Sequence, residues 1–100
     1  MNFKHIKTTA TDWSIINYYE IPSDMRFTIH WTYGGGWIDR VPKTDVTQKA
    51  RYVSVTHRRS DNSVFDCQVL DEDGVTIRGK HCRGNDSYLK ICGHFMQQQY

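Results

Sequence analysis

RYVSVTHRRSDNSVFDCQVLDEDGVTIR, residues 51–78, is the stretch whose reading decides the fold. Its apolar residues recur every second position, the repeat of an extended chain with one buried face, and no helical stripe of three-four spacing runs through it. Val53 and Val55 share one face of the first run, and Phe65, Cys67 and Val69 share one face of a second run over 63–70. Between them "RRSDN" supplies residues that favour turns, so the two runs form a hairpin. "LDEDGV" then leads to Val75, Thr76, Ile77 and Arg78, and its Asp73-Gly74 pair is a hairpin signal because glycine accepts positive φ. A three-strand meander over about 51–80 follows.

The same alternation extends outward. In residues 25–33, Met25, Phe27, Ile29, Trp31 and Tyr33 fall on one side, and Arg26, Thr28, His30 and Thr32 on the other. This predicts a strand with one buried face. Residues 12–21 admit two readings, since Asp12 would cap a short helix, yet Trp13, Ile15, Tyr19 and Ile21 alternate and their β-branched and aromatic character favours a strand. The strand is preferred. In the tail, Leu89, Ile91, Gly93 and Phe95 alternate with Tyr88, Lys90, Cys92 and His94 after the turn cluster "RGNDS", which predicts a last strand over 87–95. Pro22 and Pro42 punctuate segments without interrupting them, as a sheet requires.

The expected fold is therefore all-β, or β-dominated α+β, in one domain over 1–100. Its strands form a small antiparallel sheet or a barrel. The expected core contains Phe27, Ile29, Trp31, Val53, Val55, Phe65, Val69, Ile77, Leu89 and Ile91.

"HWTYGGGW", residues 30–37, is the most conspicuous short motif. A phosphate loop would need a lysine and a hydroxyl residue at the mouth of a following helix, but Gly36 is followed by Trp37, Ile38, Asp39, Arg40 and Val41. A dinucleotide fingerprint fails for want of that same helix. The glycines are read instead as a hairpin loop joining strand 25–33 to a short strand 37–41. Tyr33 and Trp37 then flank a loop without side chains of its own.

With 100 residues, 38% hydrophobic and 24% charged, the chain is globular in composition, and its charge of +2 is far from the strongly basic balance that marks a nucleic-acid binder on its own. No window approaches the roughly 18 apolar residues of a membrane span, and no signal-like apolar core follows the first residues. A cytoplasmic setting is expected. In that setting Cys67, Cys82 and Cys92, an odd number, are expected as free thiols.

Metal binding and catalysis have little to stand on. His81, Cys82, Cys92 and His94 lie within fourteen residues, a zinc-like set of donors, yet His81 and Cys82 are adjacent and project oppositely if extended. Cys92 and His94 would share a strand face. Buried structural thiols are the preferred reading, leaving a zinc-stabilised domain as a third alternative. His30 and His57, with Arg58 and Arg59, hold the residue types of a small nuclease site, but polar histidines on strand faces are commoner than general bases. "DEDG" reads as a turn, without the spaced carboxylates of a calcium loop. No enzyme, cofactor or small-molecule substrate is indicated.

Binding remains. Six tyrosines and three tryptophans among many arginines fit a protein interface, which favours these residue types. The expected function is a non-catalytic protein that docks on and modulates a macromolecular partner, such as a complex that processes nucleic acid. It would act as an inhibitor or regulator, in the style of accessory proteins carried by phages and mobile elements. The partner surface is assigned to Tyr33, Trp37, Arg40, Arg58 and Arg59. Direct binding of RNA or single-stranded DNA is the alternative, through Arg26, Arg51, Arg78, Lys80 and Arg83, because small barrels combine basic grooves with stacking aromatics.

Overall fold

A computed structural model of the chain describes residues 2–34, 42–77 and 86–96. The elements are β1 (Lys4–Ala10), β2 (Ser14–Glu20), a short 3-10 turn (Ser23–Met25), β3 (Thr28–Tyr33), β4 (Thr44–Arg58), β5 (Val64–Asp71) and one helix, α1 (Asp86–Met96). The five strands form a single antiparallel sheet, so the β-dominated reading of the sequence holds. Among the described residues the sheet does not close into a barrel, since β1 pairs only with β2. No described helix is long and apolar enough to cross a membrane.

β4 is the spine. Its first third, 44–49, pairs with β3, and beyond that β2 and β5 flank it on opposite edges. A bulge makes this double use work. Ala50 pairs with Asp71 and Tyr52 with Leu70, so Arg51 is an extra residue. An extra residue shifts the two-residue repeat by one. Before it the inward positions are Val46, Gln48 and Ala50; after it they are Val53 and Val55, all but Val46 buried. A second bulge lies in β5, where Thr56 pairs with Asp66 and His57 with Val64, leaving Phe65 extra.

α1 lies on the face where Val53, Val55, Cys67 and Val69 project, and it packs on β5. Ile91 and Phe95 are buried at helical i, i+4 spacing, with Tyr88 and Cys92 packed beside them. Asp86 in the first turn and His94 in the last suit the helix dipole. Ile21, Met25, Ile29, Ala50, Val64 and Ile77 complete the core.

Several expectations change. Residues 87–95 are helical, not a strand, because burial falls at 88, 91, 92 and 95 and the helix repeat satisfies it; Leu89, expected in the core, is 54% exposed. Strand 25–33 begins only at Thr28, since Met25 closes the 3-10 turn after Pro22. Phe27 and Trp31 are half-buried and pack against the core, and Phe65 is half-buried. The third strand of the meander is described only as far as Ile77, where Thr76 bridges Leu70 and Ile77 donates its amide to the Val69 carbonyl at 2.9 Å after a turn in which Gly74 takes φ 81°; residues 78–80 lie outside the described residues. The short strand 37–41 lies outside the described residues. Residues 44–50 and β1 are strands that the sequence pattern did not announce. β1 is exposed at every position, so no apolar alternation marks it.

Candidate functional site

α1 packs on one face of the sheet, and among the described residues no element packs on the other. Ser14, Ile16 and Tyr18 of β2, Ser54 and Thr56 of β4, and Asp66, Gln68 and Leu70 of β5 line a groove of about 410 Å³ there. The β5 bulge gives this groove its aromatic end. Phe65 and Asp66 together oppose Thr56, and both line the groove. One wall is a polar ladder: Thr76 Oγ1 donates to Gln68 Oε1 at 3.0 Å, and Gln68 Nε2 donates to Asp66 Oδ2 at 3.0 Å. On the opposite side, Lys7 Nζ sits 4.6 Å above the Tyr18 ring.

Trp13 stands at the end of the groove. It is carried by the β1–β2 turn, where Thr11 donates its amide to the Ser14 carbonyl at 2.9 Å and accepts the Ser14 amide on its hydroxyl at 3.1 Å. That turn leaves the indole no wall of its own, and Trp13 is 65% exposed. Its ring lies 5.8 Å from the Phe65 ring, tilted by 35°, and the Arg58 guanidinium lies 5.2 Å from the centroid of that same Phe65 ring. Trp13, Phe65 and Arg58 thus form a cluster of two tilted aromatic rings and a cation.

Arg59 holds this corner together. Its Nη1 donates to the Thr11 carbonyl at 2.9 Å and its amide to the Trp13 carbonyl at 3.2 Å, tying the β4–β5 turn to the β1–β2 turn. In the β4–β5 turn Asn62 takes φ 61°, and Asp61 Oδ1 accepts from the Ser63 hydroxyl at 2.7 Å and amide at 3.0 Å. These hydrogen bonds, led by the hydroxyl, hold the Asp61 carboxyl below its ordinary value.

The residues nominated from the sequence separate into distinct places. Arg58 and Arg59 belong to the Trp13 corner. Tyr33 ends β3 opposite Thr44, at the far end of β4 and roughly 45 Å along the strand from Arg58, so these residues do not make one surface. Trp37, Arg40, Arg78, Lys80, Arg83, His81 and Cys82 lie outside the described residues. Arg26 and Arg51 are brought together, in a pocket described below. Cys92 and His94 do not share a face, since two residues on a helix turn by about 200°. Cys92 Sγ points to the Cys67 carbonyl at 3.8 Å, whereas His94 stacks on Phe3 at 4.9 Å.

Among the described residues no group of three or more His, Cys, Asp or Glu could hold a metal ion. Cys67 and Cys92 are free thiols in contact, and their hydrogen bond, with burial, pushes the Cys67 thiol well up. His30 and His57 are engaged separately, His30 Nδ1 with the Thr47 hydroxyl at 2.9 Å and His57 Nδ1 with the Asn62 carbonyl at 3.1 Å. Thr47 and His57 are roughly 30 Å apart along β4, so the two imidazoles cannot serve one reaction centre.

Trp13 is the residue that sequence reasoning missed. Its signal was "TDWS", a turn-forming tetrad with a tryptophan inside, at a place where a two-strand turn has nothing to bury it against. Comparison with protein-family models, with curated proteins and with solved structures finds no match.

Proposed function

We propose that the chain is a non-catalytic binding module that docks a protein partner on the face of its sheet opposite α1. One observation carries this reading: a concave groove whose end is the Trp13, Phe65 and Arg58 cluster, with Trp13 65% exposed. Tryptophan and arginine are the residue types that most often dominate interface energetics, and here they adjoin a mixed apolar and hydrogen-bonding floor. The groove is close to charge-balanced, with Asp12 and Asp66 against Arg58 and Lys7, which suits a protein surface better than a continuous phosphate backbone. A role as inhibitor or regulator of a nucleic-acid-processing complex is the form that we attach to this surface.

A second reading, single-stranded nucleic acid on the same face, is supported by the basic pocket formed by Arg26, Lys49 and Arg51 beyond the groove. A pulldown from a native lysate, with and without nuclease, separates the two. Protein docking predicts a partner that survives nuclease and is lost with Trp13→Ala or Arg58→Ala, while both variants keep the wild-type circular dichroism and melting curve. Loss of every partner on nuclease treatment transfers the assignment to nucleic acid. Retention of the partner by both variants removes this face from either reading.

A further inference from the structure

A second pocket, of about 210 Å³, is lined by Arg26, Phe27, Thr28, Lys49, Ala50, Arg51 and Glu72. Lys49 and Arg51 are two residues apart, so ordinary strand alternation turns both side chains to the face away from Ala50, and Arg51 is also the extra residue of the β4 bulge. β3 adds Thr28, paired opposite Lys49.

The three cations differ in their commitments. Arg26 donates from Nη2 to Glu20 Oε1 at 3.0 Å and from Nε to the Ile21 carbonyl at 2.9 Å. That is the only ion pair among the described residues, so Lys49 and Arg51 have none there. Arg51 is the sharper case, since its Nε is sealed from solvent and has no hydrogen-bond partner. A guanidinium N–H withdrawn from water without an acceptor is costly, and buried polar groups of this kind are rare in folded chains. The arginine fork matches an oxyanion that accepts two parallel hydrogen bonds, as carboxylate and phosphate do, and a phosphate monoester carries the two charges that two cations would meet.

We propose that this pocket is a binding site for a phosphate monoester dianion. Two cations without an ion pair among the described residues match its two charges: Arg51, whose guanidinium lies 5.7 Å from the Tyr52 ring centroid, supplies the paired donors, Lys49 the point charge and Thr28 a hydroxyl donor. Glu72 sets a limit on affinity by placing one carboxylate in the lining. Inorganic phosphate and the phosphate of a nucleoside monophosphate present the same chemistry.

The test is a nuclear magnetic resonance titration of the full-length, isotope-labelled chain in low-chloride buffer. Inorganic phosphate is used in one arm and a nucleoside monophosphate in the other. Saturable shifts are expected at the Arg51 Nε–H and at the amides of Thr28 and Lys49, weakened about tenfold or more in Arg51→Met and in Lys49→Met, and strengthened in Glu72→Gln. Equal affinity in both arms assigns the site to the phosphate group alone; tighter nucleotide binding shows that the rest of the molecule adds contacts. The absence of saturable shifts in both arms overturns the proposal, as do shifts that Arg51→Met and Lys49→Met leave unchanged. Because Lys49 lies outside the core, its variant keeps the test readable if Arg51→Met fails to fold.

Discussion

Trp31 donates its indole N–H to Gln48 Oε1 at 2.8 Å, across the β3–β4 pair and in a layer otherwise filled by apolar side chains. Gln48 in turn donates from Nε2 to Asp71 Oδ2 at 3.1 Å, and Asp71 Oδ1 accepts the amides of Asp73 and Val75, both at 2.9 Å. One buried amide therefore couples β3, β4 and the turn after β5. Gln48→Leu takes this acceptor from the indole and this donor from Asp71, with an expected loss of about 1–3 kcal/mol for each group affected. Urea unfolding of the variant measures it, and a loss well below that range would show that the amide link adds little.

Ile91 and Leu89 provide a direct check on the helix. Ile91 is fully buried against the sheet and Leu89 is 54% exposed. Ile91→Ala should destabilise the fold by about 2–5 kcal/mol, and Leu89→Ala by less than about 0.5 kcal/mol. Similar losses at both positions in thermal unfolding would instead fit the alternating strand expected from the sequence.

Arg58 and Arg59 are adjacent but do different things. Arg59→Ala removes a hydrogen bond to the Thr11 carbonyl and should cost about 0.5–1.5 kcal/mol of stability. Arg58→Ala removes the cation above Phe65 and an exposed charge interaction with Asp61, and should leave the melting temperature nearly unchanged while weakening partner capture. Equal effects of the two variants on the melting temperature would contradict this division.

Asp61 makes the β4–β5 turn acid-sensitive. Its carboxyl is held below the ordinary value of 3.8 by the Ser63 hydroxyl and amide. A group depressed in the folded state contributes its stability above the unfolded value, and that contribution fades as pH falls through the lower folded value. A carbon-detected carboxyl titration should show the midpoint rising toward 3.8 in Ser63→Ala, with no change in the wild-type turn at neutral pH.

Cys67 should resist alkylation at neutral pH, because its contact with Cys92 and its burial keep the thiol protonated. Cys92→Ala removes the larger of these causes, and mass spectrometry should then record faster labelling of Cys67 by iodoacetamide. An unchanged rate would mean that burial alone protects the sulfur.

The legible parts of the fold are those where apolar burial follows one repeat on one face. Val53, Val55 and Val69 announced the central strands because each lies on the sheet face that α1 covers. The first third of β4 did not announce itself, since its buried inward position is Gln48, a polar residue satisfied by partners that are distant in sequence. α1 was misread because Ile91 and Phe95 satisfy both repeats, and the deciding facts, that Tyr88 and Cys92 pack inward and Leu89 outward, arise from the docked helix. The candidate site was legible in Arg58 and Arg59 and missed in Trp13. A turn tryptophan becomes informative only once the exposure of its indole among the described residues is known.

The extra residue at Arg51 also gives β4 two reading frames that meet at one position. Deleting Arg51 would put the whole strand in a single frame in which Val46, Gln48, Ala50, Val53 and Val55 all stay inward, and it would remove the carbonyl that accepts the Ile21 amide at 2.8 Å. What the bulge adds is therefore Arg51 itself, a side chain and a carbonyl placed between two segments whose facing does not depend on it.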